Sequence, residues 1–206
     1  MKFKVTRTDI LNYLIEKYKY KTYLEIGVRN PTSGNFNNIK IKNKLGVDPN
    51  PIIKQNNIFV GTSDLFFMKN KSTFDLIFID GLHLENQVDK DIMNSLNCLN
   101  EGGMILLHDC NPPTEMHQRD NYCVDGKYPS WNGTVWKSFA KLRMTRPDLE
   151  MYVIDTDWGV GVIRNGSQEL FPSENINIDE LKYELLENNR EELLNLIPVG
   201  KYKKIL

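Results

Sequence analysis

The sequence predicts an α/β domain built on an open, doubly wound sheet of seven strands, mostly parallel and closed by an antiparallel C-terminal hairpin. Three observations predict it. Short β-rich runs alternate with helical patterns over the first half of the chain, which is the signature of a parallel sheet covered on both faces. The run Phe74-Asp-Leu-Ile-Phe-Ile-Asp80 is nearly continuously apolar, as a strand buried on both sides must be. Two late runs, 150–155 and 158–164, are separated only by Thr156-Asp157, which reads as an antiparallel hairpin.

The elements follow in order. Residues 9–18 carry apolar side chains at 10, 11, 14 and 15, a helical spacing that Thr6 or Thr8 would cap. Strands are expected at 22–27, 44–48, 57–61, 74–80 and 102–108. Pro49 and Pro51 stop the second of them. A helix over 84–99 places Val88, Ile92, Leu96 and Leu99 on one stripe, and another is expected over 131–142. Between them, 109–131 is polar, proline-bearing and too long for an ordinary connection, so it reads as a lid or binding loop. One domain is therefore expected over 1–206. Its core is about 20–165, its lid loop about 109–131 and its charged, helical C-terminal extension 175–206.

Composition narrows the class. Hydrophobic residues make up 40% and charged residues 26%, the ordinary mix of a globular protein. Formal net charge is −1, which argues against a nucleic-acid partner. No run approaches the ~20 apolar residues of a membrane span. Residues 1–7 lack the apolar stretch of a leader, so a cytoplasmic location is expected. Cys98, Cys110 and Cys123 have no CxxC spacing, which suits a reducing compartment better than a disulfide frame.

Ligands of parallel sheets bind beyond the carboxyl ends of the strands, so the residues there matter most. Gly27 would let a ligand approach the backbone closely. Glu25 could hold a cationic group such as an amino group, although Arg29 stands where a second glycine is expected. Asp48 could accept both hydroxyls of a ribose in strong charge-assisted bonds. Ser63 and Asp64 lie where side chains commonly meet an adenine edge, or else cap a helix. Asp80, His83, His108 and Asp109 should converge, because the fourth and fifth strands are neighbours.

In Tyr23-Leu-Glu-Ile-Gly-Val28, Leu45-Gly-Val-Asp-Pro49, residues 74–83, residues 99–109 and the closing hairpin, the chain resembles the class I S-adenosylmethionine-dependent methyltransferases. The resemblance covers roughly 20–165 and implies a Rossmann-like sheet, with the last strand antiparallel between the fifth strand and its own hairpin partner. It implies S-adenosylmethionine as the cofactor. Glu25 and Gly27 would lie by its methionine part, Asp48 by the ribose, Ser63 and Asp64 by the adenine, and Asp80 at the reacting end.

The expected activity is O-methylation of a small-molecule or glycan hydroxyl. A histidine oriented by a carboxylate would remove the proton, either His108 with Asp80 or His83 with Asp109. The alternative is a divalent metal that acidifies the hydroxyl. The metal-dependent relatives that resemble catechol O-methyltransferase place ligands at these two strand ends, which makes Asp80, Asp109 and Asn111 the set for Mg²⁺. Cys110 stands where Asp or Asn is usual, and this favours the histidine. His117, Trp131 and Asn132 are candidates for acceptor binding, since aromatic faces beside amides suit a sugar ring. The strand ends Asp-Gly-x-His and His-Asp accompany sugar-modifying enzymes, which favours a glycan. Two other readings stand: a nicotinamide-dependent oxidoreductase, which shares Asp48 but would need GxGxxG, and a catalytically idle binding module.

Overall fold

The computed structural model describes residues 5–206; residues 1–4, on which the reading of the leader chiefly rests, lie outside them. Among the described residues, no helix is long and apolar enough to cross a membrane. One eight-stranded sheet runs through the molecule. In chain order its strands are β1 (Thr22–Ile26), β2 (Asn43–Asp48), β3 (Ile58–Val60), β4 (Phe74–Ile79), β5 (Leu99–Leu107), β6 (Leu149–Asp155), β7 (Val160–Asn165) and β8 (Leu196–Pro198). Their spatial order is β3-β2-β1-β4-β5-β7-β6-β8. The strands from β3 to β5 pair in parallel. β7 lies antiparallel between β5 and β6, as the sequence predicts.

Both faces of the sheet are covered. Alternating residues of β4 serve opposite cores: Leu76 and Phe78 join one, and Ile77 and Ile79 the other. The first face carries α1 (Arg7–Tyr18), packed through Ile10, Leu11, Leu14 and Ile15. The second carries α2 (Ser63–Lys69), α3 (Glu85–Asn97), α4 (Val135–Thr145) and α5 (Tyr183–Leu193). The short α6 (Tyr202–Ile205) returns to the α1 face through Tyr202 and Leu206. Burying each such aliphatic or aromatic side chain contributes about 1.5–3 kcal/mol, so the strands at the centre of the sheet are rigid supports for whatever their ends carry.

Four differences from the sequence reading have a clear physical cause. α1 begins at Arg7, because Thr6 caps it by donating its backbone N–H and its hydroxyl to Asp9 Oδ2 at 2.9 and 2.8 Å. β5 begins at Leu99, so Leu99 belongs to the sheet rather than to the stripe of α3; the pairing of β4 with β5 shifts register between Phe74 and Leu76. α4 starts four residues late, since Gly133 has φ +65° and cannot continue a right-handed helix. The C-terminal segment adds β8, which extends the sheet beside β6. Its last residue is Pro198, tolerated at a sheet edge where no partner needs its missing N–H.

Candidate active site

The carboxyl ends of β1, β4 and β5 meet in a tight polar cluster. Gly27 follows β1 with φ +91°, and a Cβ there would lie 2.1 Å from the carbonyl oxygen of Asp80. Only glycine allows the two strand ends this close. Arg29 takes φ +41°, so the loop keeps a glycine-like backbone where the sequence lacks the glycine. Its N–H donates to Asp48 Oδ2 at 2.7 Å, and Asn50 N–H donates to Oδ1 at 2.8 Å. Asp48 thus ties the end of β2 to the first loop while both of its oxygens keep a second lone pair.

Asp80 Oδ1 lies 3.2 Å from both His83 Nε2 and His108 Nδ1. His108 Nδ1 is also 2.9 Å from Asp109 Oδ2. His83 Nδ1 lies 3.3 Å from that same oxygen, but it is buried and makes no hydrogen bond. Arg7, in the first turn of α1, reaches over the cluster. Its backbone N–H donates to Asp157 Oδ2 at 2.8 Å, its Nη1 to Asp157 Oδ1 at 3.1 Å, and its Nε stands 3.7 Å from Asp80 Oδ2. Asp109 (φ +62°), Asp157 (+47°) and Trp158 (+66°) all hold left-handed backbone conformations. Such strain costs of order 1–3 kcal/mol each and gathers at functional sites.

The electrostatics follow from the charge count. Asp80, Asp109 and Asp157 are three carboxylates, and Arg7 is the permanent cation paired with them among the described residues. The cluster is short of two positive charges. Two imidazolium rings would supply them, and so would one divalent cation. Burial alone lowers the pKa of His108, but Asp109 and Asp80 outweigh it and raise it well above the ordinary value. Burial likewise opposes charge on His83, and Asp80 and Asp109 raise it. Asp80, although desolvated, is held far below the usual carboxylate range by the two histidines. Arg7 works against this at one atom: its Nη1 is 2.9 Å from His108 Nε2. A guanidinium can only donate, so Nε2 accepts in this arrangement and the ring's proton sits on Nδ1, facing Asp109. A second proton on His108 requires Arg7 to leave Nε2.

The residues also meet the requirements of a metal. One ligand atom each from Asp80, His83 and Asp109 lies within 4.8 Å of the others. Asn132 Nδ2 donates to Asp109 Oδ1 at 2.8 Å, while its own Oδ1 is buried without a partner. Two carboxylates and an imidazole suit a first-row transition ion better than Mg²⁺, which prefers oxygen ligands alone.

Residues 41–110 match the family model of a methyltransferase domain. The chain superposes on an S-adenosylhomocysteine-bound methyltransferase of Podospora anserina, PaMTH1, with TM-score 0.58, 18% identity and 78% of each chain covered. A putative caffeoyl-CoA O-methyltransferase from Staphylococcus aureus gives TM-score 0.57 and 18% identity over 79% of this chain and 85% of that one. The O-methyltransferase TomG of Streptomyces achromogenes, in complex with S-adenosylmethionine, gives TM-score 0.54 and 12% identity over 78% and 80%. The chain has the class I methyltransferase fold. No curated protein matches it in sequence.

On this methyltransferase fold the predicted residues separate. Asp80, His83, His108 and Asp109 come together, with Asn132 behind Asp109. Asn111 does not join them. Its Oδ1 accepts from Arg190, and its Nδ2 donates to Asp155 at 3.2 Å, so His83 stands where Asn111 was expected. Cys110 is buried in the core, facing Gly161; its side chain points away from the cluster, which is why a thiol is tolerated there. Glu25 is buried, and its Oε2 accepts from Tyr23 and Asn35. Ser63 lies near Gln87 (3.1 Å), which also reaches Asp64 and Asp91, and Thr62 caps α2. His117 tilts over Trp158 with ring centres 5.7 Å apart. Trp131 stacks on His83 at 5.0 Å and 16°.

Sequence reasoning missed Arg7, Asp157 and Trp158. Arg7 precedes the apolar repeat that defines its helix, and Asp157 reads as an ordinary turn residue. Their only signal was position, since the hairpin turn falls at the same sheet edge as His108.

Burial pushes the Glu25 carboxyl up to about 8, with Asp80 adding to the effect. Between its unfolded value near 4.5 and this value, the folded chain holds a proton that the unfolded chain releases. Stability therefore falls as pH rises through that window. Glu25→Gln is expected to flatten the fall, read as urea midpoints at pH 5 and pH 8. Parallel slopes in the two proteins would refute the assignment.

Proposed function

We propose that the protein is a cytoplasmic S-adenosylmethionine-dependent O-methyltransferase acting on a saccharide hydroxyl. The observation that carries the reading is the joining of two histidines through Asp80 and Asp109 at the sheet edge where this fold binds its ligands. Asp48 would hold the ribose hydroxyls through its remaining lone pairs, and the backbone around Gly27 would lie against the methionine part. When bound, S-adenosylmethionine supplies a methyl group on a positively charged sulfur. That added charge beside Asp80 disfavours imidazolium, so it favours the neutral ring of His83 when the donor is in place. His83 is the more exposed ring, with 17% of its side chain accessible against 6% for His108, and it lies on Trp131. We assign it the acceptor-facing role. Its Nε2 faces Asp80 and its Nδ1 faces Asp109, so one nitrogen must turn from its carboxylate to take the hydroxyl proton while the other carboxylate orients the ring, and His108 stays as the inner, Arg7-tethered partner. If a metal is used, Asp80, His83 and Asp109 would hold it, and it would acidify the acceptor hydroxyl.

Calorimetry with S-adenosylhomocysteine tests the cofactor. Asp48→Ala is expected to weaken binding about 10- to 100-fold, the value of one or two hydrogen bonds to a charged group. No heat at millimolar ligand with the wild-type chain would end the proposal. The loss of activity on chelation, followed by its return with Mn²⁺, would establish the metal route.

A further inference from the structure

The loop between β5 and α4 carries two tyrosines that the fold does not use. Val124 and Lys127 pair in a small antiparallel bridge, closed by Asp125 and Gly126 at φ +49° and +72°, as a two-residue hairpin turn requires. Tyr122 and Tyr128 flank this hairpin. They are 54% and 69% exposed, yet they stack on each other with ring centres 5.4 Å apart. Tyr122 lies 5.8 Å from Trp131, and Trp131 stacks on His83. An unbroken row of rings therefore leads from the reacting cluster to solvent.

The row is held rigidly. Arg119 donates to the carbonyls of Met116, Tyr122, Pro129 and Ser130 at 2.6–3.0 Å, and its own carbonyl accepts Trp131 Nε1 at 2.6 Å. One side chain thus gathers both ends of the loop. Two large exposed aromatic rings, fixed in advance, lose little entropy when a ligand covers them.

We infer that Tyr122 and Tyr128 form an outer subsite for a second and third sugar ring, so that the acceptor is an oligosaccharide rather than a monosaccharide. The inference rests on the saccharide reading above. Continuity with the reacting cluster selects the occupant, since a chain whose terminal ring sits by His83 and Trp131 must pass along this row. The rim is polar, with Asp120, Asn121 and Lys127 exposed beside the rings. The outer face of Tyr128 and the exposed ring edges of the stacked pair, bordered by hydrogen-bonding groups, match a sugar better than a wholly apolar ligand.

The test is saturation-transfer NMR on the full chain with S-adenosylhomocysteine, using cellotetraose, maltotetraose and chitotetraose beside their monosaccharides. At least one tetrasaccharide is expected to bind about tenfold more tightly than its monosaccharide, the scale of one aromatic contact. Tyr128→Ala, at the more exposed position, should remove most of that advantage, and Tyr122→Ala with Tyr128→Ala all of it. Affinity for the monosaccharide, affinity for S-adenosylhomocysteine and the melting midpoint should stay unchanged. A tetrasaccharide advantage that survives both substitutions overturns the subsite and leaves the saccharide reading standing. No binding of any saccharide overturns both, and so does a preference for a flat aromatic acid such as caffeate.

Discussion

Asp80→Asn is expected to lower turnover on the responsive saccharide by about 10²- to 10⁴-fold, the range for disabling general acid–base catalysis. One oxygen of Asp80 serves both histidines at 3.2 Å, so a single substitution withdraws the orienting charge from each ring. The amide keeps the shape and removes the charge. Without that charge, burial is opposed by Asp109 at both rings and by Asp157 at His108, and both ring pKa values should fall. Histidine NMR resonances followed against pH provide this second readout, which a merely structural role would leave unmoved. The substitution also weakens the pairing with Arg7 and both histidines, so turnover is compared per folded molecule. His83→Gln then separates the two chemistries. With a histidine base, turnover stays low whatever is added. With a metal, excess Mn²⁺ restores part of it through Asp80, Asp109 and the substituted amide. Wild-type turnover in Asp80→Asn would remove the cluster from the mechanism altogether.

What the sequence disclosed follows from how local each signal is. β4 was legible because a strand buried on both faces must be apolar at nearly every position, and the residues of 76–79 are indeed split between two cores. The hairpin was legible from spacing, and its position between β5 and the chain's later strand came from the family resemblance. The convergence of Asp80, His83, His108 and Asp109 was legible because adjacency of parallel strands brings their ends together whatever the side chains are. Arg7 was not. Its role depends on where the start of α1 lands across the sheet, a distance of 150 residues along the chain from its partner Asp157. The place of Asn111 was misread for a similar reason. Sequence proximity to Asp109 favoured Asn111, but Arg190 from α5 takes that amide, and the loop ahead of α4 folds back to deliver Asn132 instead. The start of α4 was placed early because the left-handed turn at Gly133 was not taken as the helix boundary. β8 escaped notice because three residues at a sheet edge carry too little periodicity to stand out.

Gly27→Ala is expected to be strongly destabilising, at about 3–5 kcal/mol, the range reserved for overpacking combined with backbone strain. Two costs act together. At φ +91° an alanine is strained by itself, and its Cβ would fall 2.1 Å from the Asp80 carbonyl oxygen and 2.6 Å from Gly81 Cα. Those neighbours are backbone just past the end of β4, held against β1 by the Asp80 N–H bond to Ile26 O at 2.8 Å, so they cannot rotate aside. Gly102→Ala is the control. Its φ is +73°, and nothing lies within 4 Å of the added carbon, so it should show the strain alone, about 1 kcal/mol. Urea midpoints compare the two, and for a domain of this size the difference corresponds to roughly 4–15 °C in the melting midpoint. The crowding also has a functional consequence. Relief can come only by moving the end of β4 away from β1, and that displaces Asp80 from the two histidines it joins. Turnover per folded molecule should therefore fall in Gly27→Ala and stay at the wild-type level in Gly102→Ala, where the strain sits at the opposite end of β5. Equal midpoints for the two variants would show that the strand ends have room to separate, and the close approach of Gly27 to Asp80 would then not be what fixes the cluster.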